Sequence, residues 1–99
     1  MAEAEAYDEV YALFTALADR SQELTDEQHL CVMDAFNDFV AAGDLHMPAP
    51  VHIAEKTSVR ELLSRTADGL ACLVDATADG ATALHYARVH ALMIASLAA

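Results

Sequence analysis

VRELLSRTADGLACLVDAT, residues 59 to 77, decides the fold. Val59, Leu62, Leu63, Thr66, Leu70, Leu73, Val74 and Thr77 recur three or four residues apart and keep one phase to the end of the stretch, the pattern of a helix with one buried side. Gly69 is the only residue that argues for a break. A mid-helix Gly costs about 1 kcal/mol relative to Ala, whereas a break would throw Leu70, Leu73 and Val74 out of register with the leucines before them. The spacing therefore predicts one helix running through Gly69. Gly69 sits at the edge of the stripe, where a neighbouring helix can approach closely.

Similar signals extend in both directions. Tyr7, Val10, Tyr11, Phe14, Leu17 and Ala18 predict a helix over about 3–20. Thr25-Asp-Glu-Gln28 is a capping box, in which the Thr hydroxyl accepts from a free N–H at the helix start and Gln reaches back to the cap's own N–H. It starts a second helix, 26–43, with Val32, Met33, Phe36, Phe39 and Val40 on its apolar side and Gly43 as its stop. The connection 44–56 holds both prolines and no helical period, and reads as a crossover loop. The third helix is expected over 57–77. Asp79-Gly80 then breaks the chain, and Thr82 is expected to cap a fourth helix, 82–97. The expectation is a single all-α domain over 1–99, a small four-helix bundle. TADG occurs at 66–69 and again at 77–80, but the flanking residues do not match and no repeat is read from it.

Asp79-Gly-Ala-Thr-Ala-Leu-His-Tyr-Ala87 resembles the opening of an ankyrin repeat, and Pro50-Val-His-Ile-Ala54 resembles the same element 33 residues earlier, which is the ankyrin period. That resemblance implies a tight turn and a short helix at each place. The earlier copy has Met47 and Ala49 where the pattern has Gly and Thr, the leucines lose phase after Leu63, and residues 1–44 carry no copy. The bundle is the reading kept.

The chain has 99 residues, 56 % of them hydrophobic, and a net charge of −11. Residues 1–44 hold eleven acids against Arg20 alone, while residues 45–99 hold five acids against Lys56, Arg60, Arg65 and Arg88. Phosphate binding needs clustered Lys and Arg, so direct nucleic-acid binding is not expected, and the acidity points to simple solubility or to a basic protein partner. The start lacks a cationic region leading into an apolar one, and the longest uncharged run, Val89 to Ala99, is shorter than the roughly 20 residues a membrane span needs. No membrane association is expected, and a cytoplasmic location is. Cys31 and Cys72 have no CxxC spacing and read as free thiols.

The candidate site residues come from the same helical phases. His29 falls among Met33, Phe36 and Val40, and His90 among Tyr86, Met93, Ile94 and Leu97, so both imidazoles are expected to face inward. His85 lies about 140° from His90 on a helix turning about 100° per residue, with Arg88 and Ser96 on the polar side, and the two cannot share a metal. His–Tyr or His–backbone contacts that fix helix register are one expectation, and an interior pocket lined by His29, His90, Tyr86, Tyr11 and Met33 is a second. Another is partner binding by the acidic stripe Glu27, Asp34 and Asp38. Two inward histidines fall short of a zinc ligand set, His46 and His52 lie in the proline loop, and no metal or cofactor is expected. No residue shows a catalytic motif. The last helix is apolar on nearly every side, with Leu84 and Leu92 outside its stripe, which predicts packing against a second subunit or a partner, with a homodimer as the expectation kept. The functional expectation is a small acidic interaction or regulatory protein, with a ligand-binding or enzymatic bundle as the alternative.

Overall fold

The stretch quoted above forms one helix in a computed structural model that describes residues 2–43 and 47–98. The chain folds into α1 (Glu3–Asp19), α2 (Asp26–Gly43), α3 (Val59–Ala76) and α4 (Gly80–Ala98), with a 3-10 turn at Ser21–Glu23 between the first two. No strand occurs among the described residues. The protein is an all-α four-helix bundle.

Each helix start has a local cause. The capping box at Thr25 is reciprocal: Gln28 N–H donates to Thr25 Oγ1 and Thr25 N–H to Gln28 Oε1, both at 3.1 Å. Ser58 caps α3 by accepting from Glu61 N–H at 3.1 Å. At α4 the cap is Asp79 instead of Thr82. Its carboxylate accepts from Thr82 N–H at 2.9 Å and from the Thr82 hydroxyl at 2.7 Å, so the helix begins at Gly80, two residues early. These bonds favour the charged carboxylate and hold Asp79 below its ordinary pKa. Residues 79–87 thus open a 19-residue helix, and Pro50–Ala54 has no helix. The paired elements of an ankyrin repeat are not formed.

The helices pack α1 on α3, α3 on α4 and α4 on α2, and aromatic rings close the remaining side between α2 and α1. Arg20, at the end of α1, donates to the Thr57 carbonyl at the start of α3. Glu9 meets Arg65 at 3.7 Å further along, so α1 and α3 are antiparallel. Gln28 Nε2 donates to the Ser96 carbonyl at 3.3 Å, and Phe39 packs beside Tyr86, so α2 and α4 are antiparallel too. The end of α2 lies by the start of α1, because a Cβ on Gly43 would fall on the Tyr7 ring. Residues 47–58 consequently climb the length of α1 to reach the start of α3.

Two inward faces are rotated from their expected positions. On α2 the buried residues are Val32, Ala35 and Phe39, while Met33 and Phe36 are half-buried and Val40 is exposed. The cause is bulk: Phe36 stacks on Phe14 at 5.1 Å and meets Tyr11 edge-on at 5.6 Å. These rings hold α2 away from α1, and α2 closes on α4 along its smaller Ala35 side. On α4, Val89 and Ser96 are buried beside Tyr86 and Met93, whereas Ile94 is turned out. Burial of Ser96 is tolerated because its hydroxyl donates to the Leu92 carbonyl at 3.1 Å.

Gly69 lets α1 and α3 touch: a Cβ there would lie 2.8 Å from Val10 Cγ2. Val10 is fully buried and, being β-branched, is stiff at χ1, so it cannot swing away. We expect Gly69→Ala to destabilise by on the order of 1 kcal/mol, because overpacking of about 1–3 kcal/mol outweighs the helix-propensity gain of about 1 kcal/mol. In a Val10→Ala background the same change should be neutral or stabilising. Chemical denaturation of the four-member mutant cycle checks this, and additive effects would show that the contact is not what fixes Gly69.

Candidate interaction interface

α2 turns Glu27, Leu30, Asp34, Asn37, Asp38 and Ala41 to solvent, a continuous stripe in which residues three or four apart are neighbours. All three predicted acids lie on this stripe, and none of them makes an ion pair or side-chain hydrogen bond among the described residues. Leu30 stands between Glu27 and Asp34 and is 65 % exposed. Its position three residues after Glu27 and four before Asp34 was readable from spacing, but attention to the apolar stripe passes over it.

Arg20, the only cation among residues 1–44, does not relieve this charge. Its guanidinium holds Glu23 through bonds of 2.7 and 2.9 Å and also donates to the Thr57 carbonyl. The hydrogen bonds from Arg20 keep the Glu23 carboxyl below its usual range. The acidic stripe therefore faces water with no ion-pair partner among the described residues.

The interior candidates are spread along the bundle. With Gln28 beside Ser96 and Phe39 beside Tyr86, residue 29 of α2 is level with about residue 95 of α4. At about 1.5 Å rise per residue, His90 sits ~8 Å and Tyr86 ~14 Å along the axis from His29. No hydrogen bond joins any two of the three among the described residues. His29 and His90 are both half-buried, and His29 Nδ1 is fully buried without a hydrogen-bond partner. Met33 is half-buried, and His85, expected outward, is half-buried as well. His46 lies outside the described residues, and His52 is exposed.

The structure groups tyrosines and phenylalanines instead. Tyr7 stacks on Phe39 at 4.5 Å, and Phe39 lies 5.8 Å from Tyr86. Burial, with smaller contributions from Tyr7 and Glu3, pushes the Tyr86 phenol up to about 12. Burial also raises Tyr7, helped by Tyr11 and Asp8. Tyr11 is half-buried and, with Ala12 and Thr15, forms one wall of a cleft of about 260 Å³ whose other wall is Pro48–Val51. A second cleft of about 290 Å³, between α1 and α3, exposes Cys72 beside Arg65 and Asp68. Among the described residues no three of His, Cys, Asp or Glu gather as metal ligands, and no described helix is long and apolar enough to cross a membrane.

No known family, curated protein or solved structure matches this chain. What it does must be read from its own surfaces.

The Tyr86 phenol gives a test at alkaline pH. Its folded pKa is raised above the ordinary 10.0 to about 12, so the folded state holds the proton more tightly than the unfolded one. The associated stability is complete below pH 10 and declines as pH rises from 10 towards about 12. Tyr86→Phe should flatten that decline in denaturation measured across this range. In wild type, ultraviolet absorbance should show Tyr86 ionising near pH 12 in the folded protein, above the ordinary tyrosine range.

Proposed function

We propose that this protein is a non-catalytic, acidic, helical interaction protein that works in the cytosol as a dimer. The α2 stripe docks a basic segment of a partner protein, and the outer side of α4 serves self-association. The exposure of Leu30 between unpaired carboxylates carries the reading. A solvated face needs only the acids. An apolar side chain in their midst provides an anchor, and charge around an apolar centre suits an amphipathic helix bearing Lys or Arg. Nucleic acid is disfavoured by like charge. Because exposed charges are screened within about 10 Å at 0.1 M salt, such binding must weaken as salt rises.

A synthetic amphipathic Lys/Leu helix is the probe, followed by fluorescence anisotropy at low and high salt. We expect Glu27→Lys/Asp34→Lys/Asp38→Lys to weaken binding at least tenfold at low salt, and Leu30→Ala to weaken it severalfold at both salt concentrations. Absence of binding to wild type, or equal binding to the triple variant, would remove the reading.

A ligand-binding bundle is the second reading, and the orphaned His29 Nδ1 is the observation that favours it. Buried polar atoms normally have a partner, and a small hydrogen-bonding ligand, imidazole as the probe, would supply one. It predicts that imidazole shifts the NMR signals of His29 and its neighbours in wild type but leaves those regions still in His29→Phe. Equal shifts in both proteins rule it out.

A further inference from the structure

We infer that the outer face of α4 docks a second copy of this chain, antiparallel and two-fold about Ala91. The inference rests on the interaction reading above and gives its self-associating side a geometry. Two large apolar side chains mark the face: Leu84 is 56 % and Ile94 47 % exposed. Ala91, Ala95 and Ala98 are exposed between and beyond them, and Arg88 is the only charged residue of the helix.

Charge selects the occupant. Exposed acids stand on α1 (Glu5, Asp19), on α2 (Asp34) and on α3 (Asp68), so two copies carrying −11 each repel through those sides. Residues 80–98 contain no acid at all, and two copies meet there with the least repulsion. Arg88 is exposed and has no ion pair among the described residues.

Antiparallel pairing about Ala91 sets Leu84 level with Ala98 of the partner subunit, Ala87 level with Ala95 of the partner subunit and Arg88 level with Ile94 of the partner subunit. Each large side chain then stands level with a smaller one or a flexible one. A parallel pairing would set Arg88 against Arg88 of the partner subunit and Leu84 against Leu84 of the partner subunit. Within one chain, the Gln28–Ser96 and Phe39–Tyr86 contacts put Leu30 level with Ile94. Arg88 of each copy therefore comes level with the acidic stripe between Glu27 and Asp34 of the partner subunit. One helix face is smaller than the roughly 800 Å² per partner of a standard interface, so the dimer is reversible.

Sedimentation equilibrium over a concentration series should show the mass rising from one protomer towards two. Ala91→Glu and Arg88→Glu should each hold it at one protomer with unchanged helical circular dichroism. Met47→Glu, at an 85 % exposed residue of the loop along α1, should behave as wild type. In a Cys31→Ala/Cys72→Ser background, which removes both free thiols, Ala91→Cys should crosslink to itself under copper–phenanthroline oxidation. A protomer mass at every concentration, dissociation by Met47→Glu but not by Ala91→Glu, or a dimer in which Ala91→Cys does not crosslink would each overturn the pairing. The basic peptide takes no part in these measurements. A monomer that still binds it would overturn this inference alone, and a dimer that ignores it would overturn only the docking role of α2.

Discussion

The close approach of α1 and α3, Val10 against Gly69, is the constraint on which the rest of the structure depends. It requires α3 to be continuous, since a helix broken at Gly69 would present no backbone for Val10 to lie against. The same two helices are tied at one end by Arg20, which holds Glu23 and the carbonyl of Thr57 together. With that pair fixed antiparallel, the chain leaving α2 beside Tyr7 has only one way to reach Thr57, along the length of α1. The crossover segment and the clefts beneath it follow from that route. α2 is left to close against α4, and the aromatic rings of Tyr11, Phe14 and Phe36 fill the wider gap to α1.

The sequence was most legible where one pattern answered both a local and a tertiary demand. The capping box at Thr25 and the phase of residues 59–77 are of this kind: hydrogen-bond reach and burial point the same way. It was least legible where small polar residues satisfy themselves. Ser96 looks like a surface residue by composition, yet its hydroxyl bonds to the Leu92 carbonyl, and its small volume admits it to the interior. TADG makes the same point twice. At 66–69 it lies inside α3, with the Thr66 hydroxyl on the Leu62 carbonyl at 2.6 Å. At 77–80 the Thr77 hydroxyl makes the matching bond to Leu73 at 2.6 Å, but the helix ends and Asp79 starts the next. The tetrapeptide is identical, and what differs is Val10 waiting beside one glycine and open space beside the other.

The interior histidines show a different limit. Helical phase tells which way a side chain points around an axis, and both imidazoles do point partly inward. It says nothing of height along the axis, which is set by the register between helices. That register comes from Gln28 on Ser96 and Phe39 on Tyr86, contacts between residues 68 and 47 positions apart in the chain. Residues that share an inward direction can therefore be separated by several turns. The polar atom this leaves stranded, His29 Nδ1, could not have been found from periodicity.

α4 has to be apolar on its inner side to complete the core, yet its outer side is apolar as well. Alanine reconciles the two demands. An exposed Ala presents little surface to water, so Ala91, Ala95 and Ala98 keep the outer face free of charge without making it a large greasy patch. Only Leu84 and Ile94 rise above that background, and Arg88 stands between them. Such a face is too modest to drive indiscriminate sticking, and the net charge of −11 on the rest of the chain opposes approach from other directions. In the proposed pairing, long-range repulsion and a short neutral face together favour the orientation in which two copies meet through α4. On that reading the acids of a small bundle have a physical role: exposed on α1, α2 and α3, they make the acid-free α4 side distinctive.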